Sequence, residues 1–366
     1  MGATVLAAVM PEPFVPIEVR ELADPELEPN SALFRTLYSE VCGTDVHLLH
    51  GRLAGVPYPI IPGHVAVGVL EKIRGTLRDV HGRAFQEGDV VTYLDVHGTC
   101  HACWYCLVAK ASTRCPHRKV YGITFGLADG LTGGWAQAVY IKPGTHCIRL
   151  AGVEPRRFMA GGCALPTSLH AVDQAEIRLG ETVLVLGAGP VGLSTVALAH
   201  LRGAAKVLCL GAPGHRLEIA RRMGAADCLD IANTSEEQRR DWLLERTEGR
   251  GPDATIEATG APVAVAQALR WTRDAGRVIV VGQYTDGGSI EINPHLDINR
   301  KHLRVQGVWG SDFSHFYRAV EIMRDPRAAA VYGEIALREY GLDKMNEALA
   351  DVEAGRVAKA LVIPVA

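Results

Sequence analysis

The run T-V-L-V-L-G-A-G-P-V-G (182–192) decides the fold. Five strand-forming residues lead into G-x-G-x-x-G, in which Gly187, Gly189 and Gly192 are spaced by Ala188, Pro190 and Val191. Behind them Leu193, Val196, Ala197 and Leu201 recur at helical spacing. In a strand–turn–helix unit such glycines permit a tight turn, close approach of a pyrophosphate and tight helix–sheet packing. The helix N-terminus then offers free N–H groups to the phosphate. The plainer alternative is a glycine turn that binds nothing, and the placement between a strand and an amphipathic helix argues against it. NAD or NADP is therefore the expected cofactor, held by Gly187, Gly189, Pro190, Val191 and Gly192.

Further apolar strands alternate with amphipathic segments on the C-terminal side: K-V-L-C-L (206–210), D-A-T-I-E-A (253–258) and R-V-I-V-V-G (277–282). Alternation of this kind predicts an α/β unit, a Rossmann doubly wound parallel sheet with helices on both faces. The strand at 206–210 runs into G-A-P-G-H-R, so Gly211 stands where an acidic residue normally holds the adenosine ribose. Selection against a 2′-phosphate is then missing. His215 and Arg216 could favour a phosphate or simply begin the next helix, and the choice between NAD and NADP stays open.

The chain of 366 residues has 48% apolar and 22% charged residues and a formal net charge of -3, which bounds a soluble protein of two domains. Dispersed basic residues give no footprint for nucleic acid or an anionic membrane. The start, M-G-A-T-V-L-A-A-V-M, reads as a first strand and not as a signal peptide. Leu6 rules out myristoylation of Gly2. Nine cysteines without an export signal point to a reducing, cytoplasmic setting and to metal. Up to about residue 160, short β-like runs such as V-A-V-G-V-L-E-K-I (65–73) and D-V-V-T-Y-L (89–94) alternate with turn residues, which predicts an irregular β-rich domain. The closing A-L-V-I-P-V (360–365) reads as a strand.

Within G-T-C-H-A-C-W-Y-C-L-V-A-K-A-S-T-R-C (98–115), Cys100, Cys103, Cys106 and Cys115 offer four soft ligands for a closed, structural zinc. Adjacent C-x-x-C turns rarely meet disulfide geometry in several pairs at once. Cys42 heads C-G-T-D-V-H, His64 lies in P-G-H-V-A-V-G, and Cys163 lies in G-G-C-A-L-P-T. Together they form a three-ligand set with an open fourth position, although any one of them alone reads as buried packing. Cys147, Cys209 and Cys228 fall in or beside apolar runs and read as packing. Trp135 reads as strand core rather than as a channel wall.

C-G-T-D-V-H, G-H-x-x-x-G, the four-cysteine lobe and G-x-G-P-V-G occur in the order and at the spacing of the zinc-dependent medium-chain alcohol and polyol dehydrogenases. The resemblance covers essentially the whole chain. It implies a β-rich GroES-like catalytic domain over 1–163 and 308–366, interrupted by a Rossmann domain over 164–307. It also implies two zinc ions per chain: a catalytic one on Cys42, His64 and Cys163, and a structural one on the four cysteines at 100–115. By the same resemblance Thr44 accepts the proton of a small-molecule alcohol and passes it through the cofactor ribose to His47. Asp45 orients His64 from behind, with a turn or helix-cap role as the plainer alternative. H-L-L-H-G-R (47–52) is similar to the polyol, threonine and phosphonate-associated members. The run 297–310 resembles the segment that joins subunits edge to edge, which implies a homodimer or homotetramer.

Two departures stand out. Val65 occupies the place of the glutamate that usually follows the ligand histidine, and eight residues rather than seven separate Cys106 from Cys115. Val65 keeps a second reading open, a reductase of C=C or C=N bonds with an absent or idle zinc. A non-catalytic NAD(P)-binding protein is a third, with no feature in its favour.

Overall fold

The computed structural model describes residues 4–364, so Gly2 and Val365 lie outside the described residues. Two compact units emerge. One runs to Cys163 and takes in Asp312–Arg324 and the chain from Ala336 onward; the other is Ala164–Ser311 with Asp325–Ile335.

The first unit is built on the long strand Ser31–Val41. It pairs antiparallel with Ala66–Arg74, with register shifts at Leu33/Phe34 and Thr36/Tyr38 that bend the ladder. Near its start it also pairs with Ala138–Ile141. At its end it pairs with Lys359–Val362, where Glu40 lies opposite Leu361. The last strand of the chain is thereby brought beside Cys42. Fully buried Phe34, Tyr93, Tyr121 and Trp135 fill this unit. Trp135 is core, as expected, and its indole N–H donates to the Glu40 carbonyl at 2.8 Å. Removing a buried tryptophan costs about 3–5 kcal/mol, against about 0–1 kcal/mol for an exposed ion pair. Core packing therefore outweighs the numerous surface arginine–carboxylate pairs.

The second unit carries a six-stranded sheet in the order Asp227–Asp230, Lys206–Gly211, Thr182–Leu186, Ala254–Glu257, Arg277–Val280, Arg304–Gly307. Every neighbouring pair is parallel. In order of appearance along this unit the strands read 3-2-1-4-5-6, the doubly wound arrangement with its crevice at the C-terminal end of Thr182–Leu186. The inner strands are apolar along their length because both faces are covered. Leu184, Leu186, Leu208, Leu210, Leu243, Trp271 and Val278 form one face of the core.

Residues 308–311 stay with this unit because Trp309 stacks on Tyr284 at 5.7 Å just beyond the sixth strand. Asp325–Ile335 also belongs to it, through packing of Pro326–Tyr332 on Pro190–Leu201 and an Arg222–Glu334 ion pair of 2.8 Å. The sequence expectation had assigned both segments to the first domain. Cys147, Cys209 and Cys228 are buried. No helix among the described residues is long and apolar enough to cross a membrane.

Candidate metal centres and dinucleotide loop

Cys100, Cys103, Cys106 and Cys115 come together in the lobe that holds the short helix Trp104–Leu107 and the 3-10 turn Ser112–Arg114. Sulfur separations are 3.5 Å for Cys103–Cys106, 3.7 Å for Cys115–Cys100 and 4.0 Å for Cys103–Cys115. Zn–S bonds of about 2.3 Å in a tetrahedron place sulfurs about 3.8 Å apart, so the lobe fits a closed zinc. None of the four is in a disulfide, and the sulfurs are spaced well beyond the S–S bond of about 2.05 Å. The N–H groups of Cys103 and Cys100 point at the Cys100 and Cys115 sulfurs at 3.3 and 3.4 Å, an arrangement that stabilises thiolates. The loop between Cys106 and Cys115 places Lys110 in the left-handed region, φ 53°.

The second set is assembled from three segments of the first unit. Cys42 closes the strand Ser31–Val41 and caps the helix Gly43–Leu49. His64 sits in the turn before Ala66–Arg74, and Cys163 follows the helix Pro155–Gly161. Their three donor atoms lie within 4.8 Å of one another, with Cys42 Sγ 3.9 Å from His64 Nε2. A tetrahedral zinc with sulfur and imidazole ligands asks for about 3.6 Å.

The charges suit a cation. A hydrogen bond shared with Cys163 outweighs burial and, with the charge and hydrogen bond of His64 and a hydrogen bond from Thr44, holds the Cys42 thiol well below its ordinary value. The same shared bond pushes Cys163 well up, so Cys42 is the member of the pair that carries the negative charge. Burial pulls His64 down. The Cys42 charge and hydrogen bond, then Asp45 and Asp95, overcome it and raise His64 to about 10. A buried thiolate–imidazolium–thiol group of this kind releases protons when a metal takes their place.

Thr44 and His47 are three apart on the helix Gly43–Leu49 and therefore share a face. The Thr44 hydroxyl donates to the Cys42 sulfur. Burial, followed by the charge of Arg52, lowers His47 from its ordinary 6.5. Asp45 is fully buried, and burial followed by the Cys42 charge pushes its carboxyl well above the ordinary value; its Oδ2 accepts the Cys42 N–H at 2.8 Å and so caps the helix. His64 Nδ1 and Asp45 Oδ1 each lack a hydrogen-bond partner. Val65 is buried, and its carbonyl accepts the Ser39 hydroxyl at 2.9 Å.

Sequence reasoning missed Glu40 and Lys359. Both are buried, they pair with each other, and Glu40 Oε1 accepts the Cys163 N–H at 2.7 Å. The signal was a lone charge inside each of two otherwise strand-like runs, T-L-Y-S-E-V and A-K-A-L-V.

In the second unit each fingerprint glycine has its own reason. Gly187 has φ +113° and a Cβ there would lie 2.8 Å from the Ala258 carbonyl. A Cβ on Gly192 would collide with the Gly187 carbonyl, whereas a Cβ on Gly189 would meet nothing within 4 Å. The space before Gly189 is thus open, next to the N-terminus of Pro190–Leu201, where Pro190 and Val191 form the first turn. This cradle fits a dinucleotide pyrophosphate. At Gly211 a Cβ would lie 2.7 and 2.8 Å from the Cβ and N of Ala188, which explains why no acidic side chain stands there. His215 is exposed and Arg216 half-buried at the start of Gly214–Arg222. Asp230 reaches toward the same turn, 3.7 Å from where a Cβ on Gly214 would sit.

Comparison with known proteins brings these features together. Residues 28–152 match the alcohol dehydrogenase GroES-like domain and residues 190–325 match the zinc-binding dehydrogenase domain. The chain is 30% identical to 5-exo-hydroxycamphor dehydrogenase of Pseudomonas putida over 342 residues, covering 91% of this chain and 92% of that one. An alcohol dehydrogenase of Thermotoga maritima superposes with a TM-score of 0.93 at 31% identity over 100% of both chains. A Sinorhizobium meliloti protein solved with NADP superposes with a TM-score of 0.82 at 27% identity, covering 99% of this chain and 100% of that one.

Proposed function

This chain belongs to the zinc-dependent medium-chain alcohol and polyol dehydrogenases, and from that premise we propose that it interconverts a primary or secondary alcohol and its carbonyl with NAD(P), using Cys42, His64 and Cys163 as the reactive centre. The observation that carries the reading is the convergence of those three donors beside Thr44 and His47 on one helix face. A zinc ion held there would act as a Lewis acid that lowers the pKa of a substrate hydroxyl. A nicotinamide dinucleotide on the 187–192 loop would supply the hydride acceptor.

The protein's own part is to hold charge and move a proton. Cys42, already the charged member of its pair, and neutral His64 with deprotonated Cys163 balance a dication without the carboxylate that Val65 replaces. Thr44 Oγ1 donates to Cys42 and keeps its lone pairs to accept a substrate O–H. Passing the proton on requires the hydroxyl to turn its own hydrogen away from the sulfur. His47, lowered from 6.5 and hence neutral at pH 7, is the base that collects the proton at the far end of this path. The three-donor set and this path favour the alcohol reading over the C=C or C=N reductase.

The reading is tested by following NAD⁺ and NADP⁺ reduction over a panel of alcohols before and after chelation. Turnover that the chelator abolishes supports it. A zinc-replete protein inert to every class of alcohol and aldehyde contradicts it.

His47 also sets a pH prediction. Alcohol oxidation should fall as pH drops through the His47 pKa, below 6.5, because the protonated ring cannot accept a proton. His47→Gln should lower kcat about 10²-fold and remove that limb of the profile. An unchanged kcat–pH curve in the variant would exclude the relay.

A dimer or tetramer belongs to the same proposal. Arg304–Gly307 is the edge strand of its sheet and is exposed throughout. Arg304 and Val308 donate to the Gly276 and Val280 carbonyls at 3.1 and 2.9 Å, so the Val305 N–H points away from the sheet, toward a partner. Val305→Pro removes that outward donor while the ladder donors of Arg304 and Val308 are kept. It should shift the protein to a monomer in sedimentation; an unchanged assembly would rule out pairing through this edge. Nine cysteines, six of them in the two candidate metal sets, suit the cytoplasm, where the proposal places the protein.

A further inference from the structure

Glu40 and Lys359 come from opposite ends of the chain and meet where Cys42 and Cys163 converge. Glu40 is the penultimate residue of the strand that delivers Cys42, and Lys359 opens the strand paired with it. Both are almost wholly excluded from solvent, with side-chain exposures of 0% and 2%. An isolated charge in such a place is strongly disfavoured, so a buried charge survives only when paired and hydrogen-bonded.

This pair meets that condition and does something more. One Glu40 oxygen takes the Lys359 ammonium, and the other accepts the main-chain N–H of Cys163 at 2.7 Å. Lys359 also donates to the Gly161 carbonyl at 3.4 Å, at the end of the helix that leads to Cys163. Between these two anchor points Gly162 has φ +47°, and a Cβ there would run into both charged heads. Glu40 is itself anchored, since its carbonyl accepts the buried Trp135 indole N–H at 2.8 Å.

We propose that Glu40, paired with Lys359, is the positioning residue that fixes the Cys163 thiol in the three-donor set, a role distinct from contact with substrate. The inference rests on the reading of Cys42, His64 and Cys163 as zinc ligands. It assigns a function to a buried carboxylate in a chain where the position after the ligand histidine is the apolar Val65. One main-chain hydrogen bond from a fixed carboxylate sets the turn at Gly162–Cys163, and with it the direction of the third sulfur. Groups that orient ligands from behind change metal affinity by about 10–100-fold.

The test uses the full-length, metal-loaded protein with cobalt exchanged into the three-donor site. Glu40→Asp keeps the charge opposite Lys359 but withdraws the acceptor from Cys163. It should speed metal loss to a chelator roughly 10–100-fold and alter the cobalt d–d spectrum, while the far-UV CD and the zinc of the four-cysteine lobe stay unchanged. The double variant Glu40→Gln with Lys359→Met removes both charges but restores an acceptor of native length, and it should recover most of the metal retention. If Glu40→Asp fails to fold, the double variant carries the test: retention and spectrum near wild type support the proposal, and a three-donor site as empty of metal as that of Cys163→Ala overturns it. Wild-type exchange and spectrum in Glu40→Asp overturn it as well, while the dehydrogenase reading stands. A wild-type protein that binds metal only at the four-cysteine lobe overturns both.

Discussion

Cys163→Ala is expected to lower alcohol oxidation by roughly 10³-fold or more, with little effect on folding. Lewis-acid stabilisation is worth several kcal/mol, and each 1.4 kcal/mol is a factor of ten in rate. Two remaining donors, Cys42 and His64, fall short of the three protein ligands with which catalytic sites hold zinc. The fold should survive because the main-chain bond of Cys163 outlasts the change, and only the thiol's hydrogen bond with Cys42 is lost. The N–H bond to Glu40 is kept in alanine. The loss of one thiol should cost about 1 kcal/mol of stability. The comparison to make is kcat/KM together with the thermal midpoint. A variant that keeps wild-type turnover would remove Cys163 from the reaction, and one that unfolds would show its role to be packing.

The second large effect concerns the dinucleotide loop, where two glycines should fail in different ways. Gly189→Val adds a side chain into space empty of protein atoms, so the thermal midpoint should hold. The side chain then occupies the place of the pyrophosphate, and dinucleotide affinity should fall by about tenfold to a hundredfold, as overpacking of 1–3 kcal/mol predicts. Gly192→Val collides with the Gly187 carbonyl and must push the helix Pro190–Leu201 off the strand end. That change should lower both the midpoint and the affinity. Calorimetric titration with NAD⁺ and NADP⁺ beside a melting curve separates the two cases. Unchanged affinity in Gly189→Val would move the cofactor elsewhere.

The parallel sheet was legible in the sequence because its strands are covered on both faces, leaving near-continuous apolar runs such as Val183–Leu186 and Val207–Leu210. The four-cysteine cluster was legible from residue type and spacing, and the second donor cluster from the resemblance carried by C-G-T-D-V-H and G-H-x-x-x-G. The surroundings of the second set were less so. For Asp45 the resemblance implies an orienting role on His64 and the residue type a cap, and the structure gives its Oδ2 to the Cys42 N–H as a helix cap. Glu40 and Lys359 each look like a surface charge in a strand until pairing of the first long strand with the last one buries them together. The same kind of distant contact returns Asp325–Ile335 to the second unit, and periodicity within that segment carries no trace of it.

The central claim is that two separate sets of residues bind zinc, one to hold a lobe and one to react. Zinc per chain, counted by mass spectrometry under native conditions in the wild type and in Cys163→Ala, addresses it directly. The account predicts two ions in the wild type and one in the variant, the remaining ion being held by Cys100, Cys103, Cys106 and Cys115. A single ion in the wild type, or two in the variant, would contradict it.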